Sequence, residues 1–385
     1  MKKLLGLLLV MTMAWPVSAN VLDNVDVIGE IEAIGAENNL GTTAANGAAS
    51  RVMAGLSAEL TEDVRANVQF VYGTEWTGDE GSTLQEYWET VQLAEANIVL
   101  SNLFDCFEVT VGRQFYGDEN SAVMYFGPRH GYMAALADVS SLDAAKLTYS
   151  DDFKAVTLIA GKTKRFLNTA ADGATIFGAD IALNLSDLLK AQIYGYALKD
   201  NTWIPDGEEY QGFYGAKLSL TPEAGLLSVE YARAHDGNRL IKESHDNAYM
   251  VKVDGALNLD AFTPRAAFFY QKGTVSHYGA YAPGLVYSKT RFGDMLYQGL
   301  EESRIFNVGV DYAWDKWTFS LDGFAFQDRT AQHEATLEAD LTANYQHNEN
   351  VGLFAGIGYA KLGGDYGDFN QPDATVYQAG VNVKF

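Results

Sequence analysis

The sequence predicts an all-β fold, a transmembrane antiparallel up-and-down β-barrel of about 18 strands, with 16 strands as the alternative. Three observations predict it. Segments of about ten residues alternate apolar and polar side chains along the chain. The connections between these segments alternate between short and long. Beyond the N-terminal segment, no stretch approaches the ~18 consecutive apolar residues that mark a membrane-spanning helix.

Composition narrows the class of protein before any motif is considered. The chain has 385 residues, 48% of them apolar, which excludes wholesale disorder. Its 50 Asp and Glu against 27 Lys and Arg give a formal net charge of −23. A nucleic-acid partner is therefore not expected, because phosphate recognition needs Lys and Arg. A single cysteine, Cys106, excludes an intramolecular disulfide and a multi-cysteine metal site.

The first 19 residues have the pattern of a secretory signal peptide. Lys2 and Lys3 precede an apolar stretch from Leu4 to Trp15, and Val17-Ser18-Ala19 reads as a small-residue cleavage site. The alternative, a membrane anchor, would need an apolar stretch of ~20 residues. We therefore expect residues 1–19 to be cleaved and residues 20–385 to form a single barrel.

Period-2 alternation identifies the strands. Segments 64–70, 335–345 and 375–385 each place apolar residues on one face and polar residues on the other. The polar parity carries Asn, Gln, Thr, Glu and Asp, so it is expected to face water, which argues against a stack of β-sandwiches. The predicted strands are 25–36, 51–60, 64–73, 86–100, 107–116, 141–150, 154–163, 175–185, 191–200, 211–220, 226–235, 247–259, 264–272, 304–314, 317–327, 335–345, 351–361 and 375–385.

The connections predict which end of the barrel faces which compartment. Short turns are expected in the periplasm and long loops outside, and an even strand count puts both termini on the periplasmic side. The predicted long loops are 37–50, 74–85, 117–140, 164–174, 201–210, 236–246, 273–303, 328–334 and 362–374. Candidates for the aromatic girdles at the membrane interfaces are Tyr72, Trp88, Tyr149, Tyr312, Trp314 and Trp317.

The signal peptide, the amphipathic strands and the terminal Phe385 resemble a Gram-negative outer-membrane porin. Locally, Glu95-Ala96-Asn97 and Val111-Gly112-Arg113-Gln114 are similar to a stretch of 18-stranded porins and alginate-export-type channels. The resemblance implies an outer-membrane location, an assembly signal at Phe385, and contacts with the lipid bilayer, lipopolysaccharide and the outer-membrane assembly machinery. It implies a homotrimer if the chain follows its 16-stranded relatives. Small outward residues such as Ala54, Ala58 and Ala66 would then form the apolar interface between subunits.

A barrel of 16–18 strands leaves an aqueous channel, so the expected function is passive diffusion of small hydrophilic solutes and ions. The resemblance implies that the third outer loop, 117–140, folds inward as the constriction, with Asp118, Glu119, Arg129 and His130. Its acids would face basic pore-wall residues: Arg65, Lys146 and Arg265, together with Arg113, which like Arg51 lies near a strand end. The alternative is a solvated lid over the mouth of the barrel.

The inward parity is rich in acids, which predicts a cation-preferring channel because carboxylates in a pore favour cations. The predicted acidic wall residues are Glu30, Glu32, Glu95, Glu108, Asp180, Asp254, Asp311, Asp322, Glu338 and Asp340. The alternative is that the acidic surplus lies in the outer loops and affects only the surface.

Two other loops attract attention. Loop 273–303 carries five aromatic residues, Tyr278, Tyr281, Tyr287, Phe292 and Tyr297. Three interpretations are open: a lining that stacks on sugars, a second constriction, or packing of the loop against itself and its neighbours. We favour packing. An acidic turn in an outer loop, Gly363-Gly364-Asp365-Tyr366-Gly367-Asp368, leaves binding of Ca²⁺ open as an alternative, but it lacks the regular spacing of an EF-hand. No cofactor and no other metal site are expected.

An enzyme is not expected, because neither HExxH nor GxSxG occurs. The pairs His235-Asp236 and His245-Asp246 are interpreted as solvated loop residues. Two alternatives to a general porin stay open. One is a channel specific for a saccharide or polysaccharide, although an anionic polymer would need a basic tunnel. The other is an abundant surface structural protein or adhesin.

Overall fold

The computed structural model describes residues 24–40, 43–77, 91–131, 136, 139–165, 173–199, 211–235, 248–273, 275, 279, 281–286, 302–328, 335–361 and 373–385. The predicted signal peptide, Trp88, His245 and the acidic turn at 363–368 lie outside the described residues. No helix in the described ranges has the length and apolarity required to cross a membrane.

The described chain is built of β-strands in sequence order. They are β1 (Val25–Leu40), β2 (Thr43–Thr61), β3 (Val64–Thr77), β4 (Gln92–Leu103), β5 (Phe107–Gln114), β6 (Tyr116–Gly117), β7 (Tyr125–Phe126), β8 (Ser140–Ser150), β9 (Lys154–Arg165), β10 (Thr175–Asn184), β11 (Leu189–Lys199), β12 (Gln211–Leu220), β13 (Gly225–His235), β14 (Tyr249–Leu257), β15 (Phe262–Lys272), β16 (Glu302–Trp314), β17 (Trp317–Asp328), β18 (Thr336–Gln346), β19 (Val351–Lys361) and β20 (Asp373–Lys384). The short strands β6 and β7 pair with each other inside one loop.

All the other strands form one closed sheet of 18 strands, which confirms the predicted fold and strand count. Each strand is antiparallel to its neighbours in sequence, and β5 pairs with β8 across the loop that contains β6 and β7. The sheet closes where β1 pairs with β20, from Glu30 opposite Lys384 to Leu40 opposite Ala374. Closure is what a membrane barrel requires, because an unpaired strand edge cannot be hydrated in lipid.

The first hairpin is longer than predicted. A loop was expected over 37–50, but β1 and β2 pair without interruption up to Leu40 opposite Thr43. The segment 43–49 is mostly Ala, Thr, Asn and Gly, so it lacks the apolar alternation that marked the other strands. Its backbone pairing with β1 and β3 makes it a strand nonetheless. As a result, Arg51 lies within a strand and not near its end.

The outside of the barrel carries the large apolar side chains that remain exposed. They include Val27, Leu60, Val308, Leu321 and Leu337, each more than half exposed. Among the predicted girdle residues, Tyr312, Trp314 and Trp317 are exposed near the β16–β17 turn, where the Trp317 ring packs on Phe319 and Tyr345. An apolar coat with aromatics near the strand ends fits a lipid-facing surface.

Phe385 lies at the seam where the barrel closes. Its backbone exchanges two hydrogen bonds with Gly29, Gly29 N to Phe385 O at 2.8 Å and Phe385 N to Gly29 O at 3.0 Å. The Phe385 ring lies over Gly29, so that a Cβ added there would come within 2.7 Å of Phe385 Cζ and also meet the carbonyl of Met53. The seam therefore requires glycine at this position.

We predict that Gly29→Val destabilises the barrel by about 1–3 kcal/mol, because the added atoms overpack the seam. The measurement is the temperature at which the folded, fast-migrating form on an SDS gel is lost. Gly35→Val is the matched control, since Gly35 is also in β1 and the nearest atom to an added Cβ there is 3.9 Å away. Equal transition temperatures for both variants would contradict the prediction.

Candidate functional site

The third long loop, L3 (residues 115–139), packs against the inside of the barrel. Val123, Met124 and Phe126 of L3 are at most 3% exposed and belong to a buried apolar cluster on the inner wall. The wall members of this cluster lie in the half of each strand next to the long loops. They include Leu142, Ala144, Ile159, Ile176, Tyr194, Tyr196, Leu198, Phe213, Ala232, Met250, Phe269, Ile305 and Phe326.

This apolar patch corrects the expectation that the inward parity faces water throughout. On the strands from β8 to β17 the inner wall next to the long loops carries this apolar patch, and L3 packs on it. Each of the three buried L3 side chains contributes about 1.5–3 kcal/mol by leaving water. The apolar residues of L3 therefore supply a large part of the energy that holds the loop inside.

An ionic network fixes the other end of L3 to the seam strands. Arg51 of β2 is fully buried, and its Nη2 donates to Glu30 Oε1 at 2.9 Å and to Glu32 Oε2 at 3.0 Å. Its Nη1 donates to the carbonyl oxygen of Arg129 in L3 at 2.7 Å. The amide of Gly131 donates to Glu32 Oε1 at 3.0 Å. One buried arginine thus joins two wall carboxylates to the loop backbone.

His130 completes this network from the loop side. Its Nδ1 lies 3.1 Å from Glu119 Oε2 and its Nε2 lies 3.0 Å from Glu30 Oε1. Burial alone would lower the pKa of His130, but the hydrogen bonds to Glu119 and Glu30 outweigh it and raise the pKa from 6.5 to about 9. His130 is therefore a cation at neutral pH, held between one loop carboxylate and one wall carboxylate. We name Glu30, Glu32, Arg51, Glu119 and His130 the latch.

The latch has the spacing of a metal site, since ligand atoms of Glu30, Glu32 and His130 lie within 4.8 Å of one another. The Arg51 guanidinium, however, already contacts both carboxylates at hydrogen-bond distance. A cation is therefore in place, and we interpret the cluster as an ion-pair network.

The latch also reverses the predicted arrangement of charge. L3 acids were expected to face wall bases, but Glu119 pairs with His130 of its own loop. The Asp118 carboxylate accepts from the Asn120 amide at 2.9 Å. At this contact the wall supplies the carboxylates and the loop supplies the histidine, because the register of β1 turns Glu30 and Glu32 toward L3.

The seventh long loop, L7 (residues 273–301), also reaches the inner wall. The amide of Leu285 donates to Asp340 Oδ2 at 2.8 Å, and that of Val286 donates to Glu338 Oε1 at 2.7 Å. Both acids were predicted on the pore wall, and both are at most 4% exposed under this loop. The backbone of L7 thus donates to one oxygen of each of these two carboxylates of β18.

L3 and L7 contact each other inside the barrel. The amide of Tyr281 donates to Ser121 O at 3.1 Å, and Arg129 Nη2 donates to Gly279 O at 3.1 Å. The Tyr281 ring packs against Phe269, and Lys252 Nζ lies 4.2 Å from its centroid. Of the five aromatics expected in this loop, only Tyr281 is among the described residues, and it packs against the wall.

A cavity of about 610 Å³ lies between these loops and the wall of β12 to β18. Its charged lining is mixed, with five acidic and five basic side chains among the described residues. They are Asp118, Glu119, Asp254, Asp322 and Asp340, and Arg129, His130, Lys217, Lys252 and Arg265.

Two predicted wall bases pair with predicted wall acids. Arg265 Nη2 donates to Asp311 Oδ1 at 2.8 Å and to Asp322 Oδ2 at 2.9 Å. Lys146 Nζ lies 3.7 Å from Glu108 Oε1. One arginine is therefore shared by two carboxylates, which leaves that part of the wall with a negative charge.

The remaining predicted wall acids are spread around the barrel. Glu95 accepts from the amide of Phe115 at the start of L3 at 3.4 Å. Asp254 lies 3.5 Å from Lys252 Nζ in the 610 Å³ cavity. Asp180 lines a second cavity on the opposite side of L3.

Of the two remaining predicted wall bases, one lies outside the barrel. Arg113 pairs with Asp143 at 2.6 Å, and the register puts it on the face of Val111, which is 51% exposed on the outside of the barrel. The prediction that Arg113 lines the pore is corrected by this register, since the apolar pattern near the strand end did not fix its parity. Arg65 keeps the predicted inward parity of β3, and it is exposed beside the β2–β3 turn, in register with Glu59.

Sequence reasoning gave no role to Lys252, and it named Arg51 only as a wall candidate near a strand end, with its parity open. The buried position of Arg51 was missed because residues 37–50 were predicted as a loop. Lys252 shares the inward parity of Asp254, and this parity could have identified it as a wall residue. The L3 residues that pack on the wall do not lie in an alternating strand pattern. Only their apolar character within a polar loop could have indicated that they are buried.

Comparison with known proteins agrees with this fold. No family model and no curated protein matches the sequence. Among solved structures, OpdL of Pseudomonas aeruginosa aligns with a TM-score of 0.66 at 12% identity, over 94% of this chain and 98% of that one. OccAB2 of Acinetobacter baumannii aligns with a TM-score of 0.65 at 13% identity, over 96% and 100%.

OccK5 (OpdH) of P. aeruginosa aligns with a TM-score of 0.63 at 14% identity, over 95% of this chain and 99% of that one. These neighbours are Occ/Opd outer-membrane porins, so the chain has the fold of an outer-membrane porin. The closed barrel and its neighbours agree with the predicted location in the outer membrane of a Gram-negative bacterium.

We predict that L3 loosens at alkaline pH, because the raised pKa of His130 means that its protonated form stabilises the docked loop. This contribution is complete below about pH 6.5 and is lost as the pH rises through about 9. Hydrogen exchange of residues 118–131, corrected for the intrinsic rate, should show constant protection below about pH 6.5, falling protection between about pH 6.5 and 9, and no further fall above that range. A His130→Gln variant should show weaker protection at pH 7 without the alkaline step. The same alkaline step in both proteins would contradict the assignment.

Proposed function

We propose that this protein is an outer-membrane porin, a water-filled channel for passive diffusion of small hydrophilic solutes and ions. The observation that carries the proposal is a polar, charged cavity enclosed by a barrel whose outside is apolar. Such a cavity can hold water and hydrated solutes, while the apolar coat can lie in lipid. The Occ/Opd neighbours are substrate-specific outer-membrane channels, which supports a channel function.

In this proposal L3 and L7 together form the constriction. L3 is fixed by the latch and by its apolar side chains, and L7 by Glu338 and Asp340. Their mutual contacts, Tyr281 with Ser121 and Arg129 with Gly279, join the two loops into one structure inside the barrel. A solute must then pass the charged side chains that border the 610 Å³ cavity.

We further propose a weak preference for cations. Carboxylates outnumber bases at two places: the latch holds three carboxylates and two cations, and Arg265 is shared by Asp311 and Asp322. Each place keeps one negative charge in excess, and carboxylates in a pore favour cations. Because the 610 Å³ cavity itself carries five acids and five bases, the preference should be modest.

A substrate-specific channel is the second candidate, favoured by the two loops that converge on one cavity. A saccharide channel would need neutral donors and acceptors along the path; Asn120, Asn307 and Ser320 offer some, but ten ionisable side chains line the same cavity. The homotrimer, the Phe385 assembly signal, lipopolysaccharide contacts and Ca²⁺ at an outer loop stay predictions.

The purified protein should give steady ohmic conductance steps in planar bilayers. In a KCl gradient, the reversal potential should have the sign of a modest cation preference, since the paired wall leaves negative charge uncompensated. A reversal potential of the opposite sign, which means anion preference, would contradict the proposed cation preference but not the proposed channel function. Absence of conductance from protein shown to be folded by its gel mobility would contradict the porin and favour a structural or adhesive role.

Phe126→Ala should loosen L3, because removing a fully buried ring costs about 3–5 kcal/mol of packing. We expect a larger and noisier single-channel current than in the wild type. Phe177→Ala is the matched control, since Phe177 is 47% exposed on the outside of β10. Identical currents from Phe126→Ala and the wild type would argue against L3 as the constriction.

A further inference from the structure

A second cavity, of about 320 Å³, lies on the other side of L3. L3 contributes residues from Tyr116 to Met124, and the wall of β9 to β13 contributes the opposite side. Asp118, Asn120 and Lys217 border both this cavity and the larger one, so the two spaces adjoin. None of the contacts that anchor L3 or L7 explains why this second space is polar.

Three tyrosines form one side of this cavity. The rings of Tyr116 and Tyr196 meet edge to face, with centroids 6.2 Å apart at 81°, and Tyr194 lies 5.9 Å from Tyr196. Their hydroxyl groups are engaged, Tyr116 with Tyr196 at 3.0 Å and Tyr194 with Glu230 at 2.6 Å. The cavity therefore presents fixed aromatic rings whose hydroxyl groups already have partners.

Two carboxylates face the same space with only neutral partners. Asp180 accepts from the side-chain amide of Gln192, and Glu230, which is 6% exposed, accepts from the Tyr194 hydroxyl. Lys217 stands opposite Glu230 in the register, yet no ion pair involves Lys217, Asp180 or Glu230 within the described parts of the chain. These carboxylates thus differ from the acids that share Arg51 and Arg265.

We propose that this cavity is a binding site for organic cations of the primary alkylammonium type. An ammonium group would form charge-assisted hydrogen bonds with the carboxylates of Asp180 and Glu230, whose hydrogen-bond partners in the protein are neutral. The tyrosine rings that line the cavity give an alkyl chain apolar surface on which to pack. A sugar would fit less well, because a neutral solute would leave the negative charge of both acids uncompensated.

The proposal rests on the porin function only for its electrical test. In planar bilayers in KCl, n-butylammonium should reduce the single-channel current in a saturable manner, whereas neutral n-butanol should not. Asp180→Asn and Glu230→Gln should each raise the half-blocking concentration about tenfold or more, since each removes a charge-assisted contact. Asp187→Asn is the matched control, because Asp187 is exposed in the β10–β11 turn of the same wall. Gel mobility verifies that every variant is folded.

Calorimetric titration of the detergent-solubilised protein with n-butylammonium separates the two proposals. Binding that is lost in Asp180→Asn would support the site even if the protein did not conduct. Conductance with cation preference but no n-butylammonium binding would overturn the site and leave the porin. Binding that is unchanged in both Asp180→Asn and Glu230→Gln would also overturn it, as would tighter binding of glucose than of n-butylammonium.

Discussion

Closure of the sheet is the constraint on which the rest of this structure depends. A strand edge left open in lipid would expose a row of unpaired backbone groups, each costing several kcal/mol. β1 and β20 remove that edge, and the close approach of Phe385 to Gly29 belongs to the same seam. L3 is attached at this place too, since Gly131 donates to Glu32 of β1 and accepts from Gln378 of β20 at 3.0 Å. The loop therefore bridges the two strands whose pairing closes the barrel.

The interior of the closed barrel has to meet two opposing requirements that the core of a soluble fold does not meet together. Its inside must hold water for solutes, yet loops stay inside only if they bury apolar area or satisfy charges. The structure separates these demands along the strands. Next to the long loops, the wall from β8 to β17 carries an apolar patch on which Val123, Met124 and Phe126 of L3 pack, whereas nearer the short turns Lys146 and Glu108 remain partly exposed.

The sequence predicted the fold well because alternation is a local signal, read strand by strand and counted to 18. It failed where the signal was absent, as in the Ala- and Gly-containing start of β2, and this hid the buried position of Arg51. The contacts of the site were harder to predict for a different reason. His130 meets Glu30 across 100 residues of sequence, and such a pair depends on register and loop path, which alternation does not encode. Residue type still indicated the chemistry, since most of the predicted acids do lie on the inner wall.

Charge pairing explains how one wall can serve both stability and selection. Where a base is shared by two carboxylates, as with Arg265, the pair is held rigidly and still leaves a negative field in the lumen. Where a carboxylate has only a neutral partner, as with Asp180, its charge is available to a solute. L3 lies between these two kinds of wall, with Asp118 and Asn120 bordering both cavities. Any movement of L3 must therefore change both cavities together, so that in the proposed channel docking of the loop and selection of a solute depend on one set of contacts.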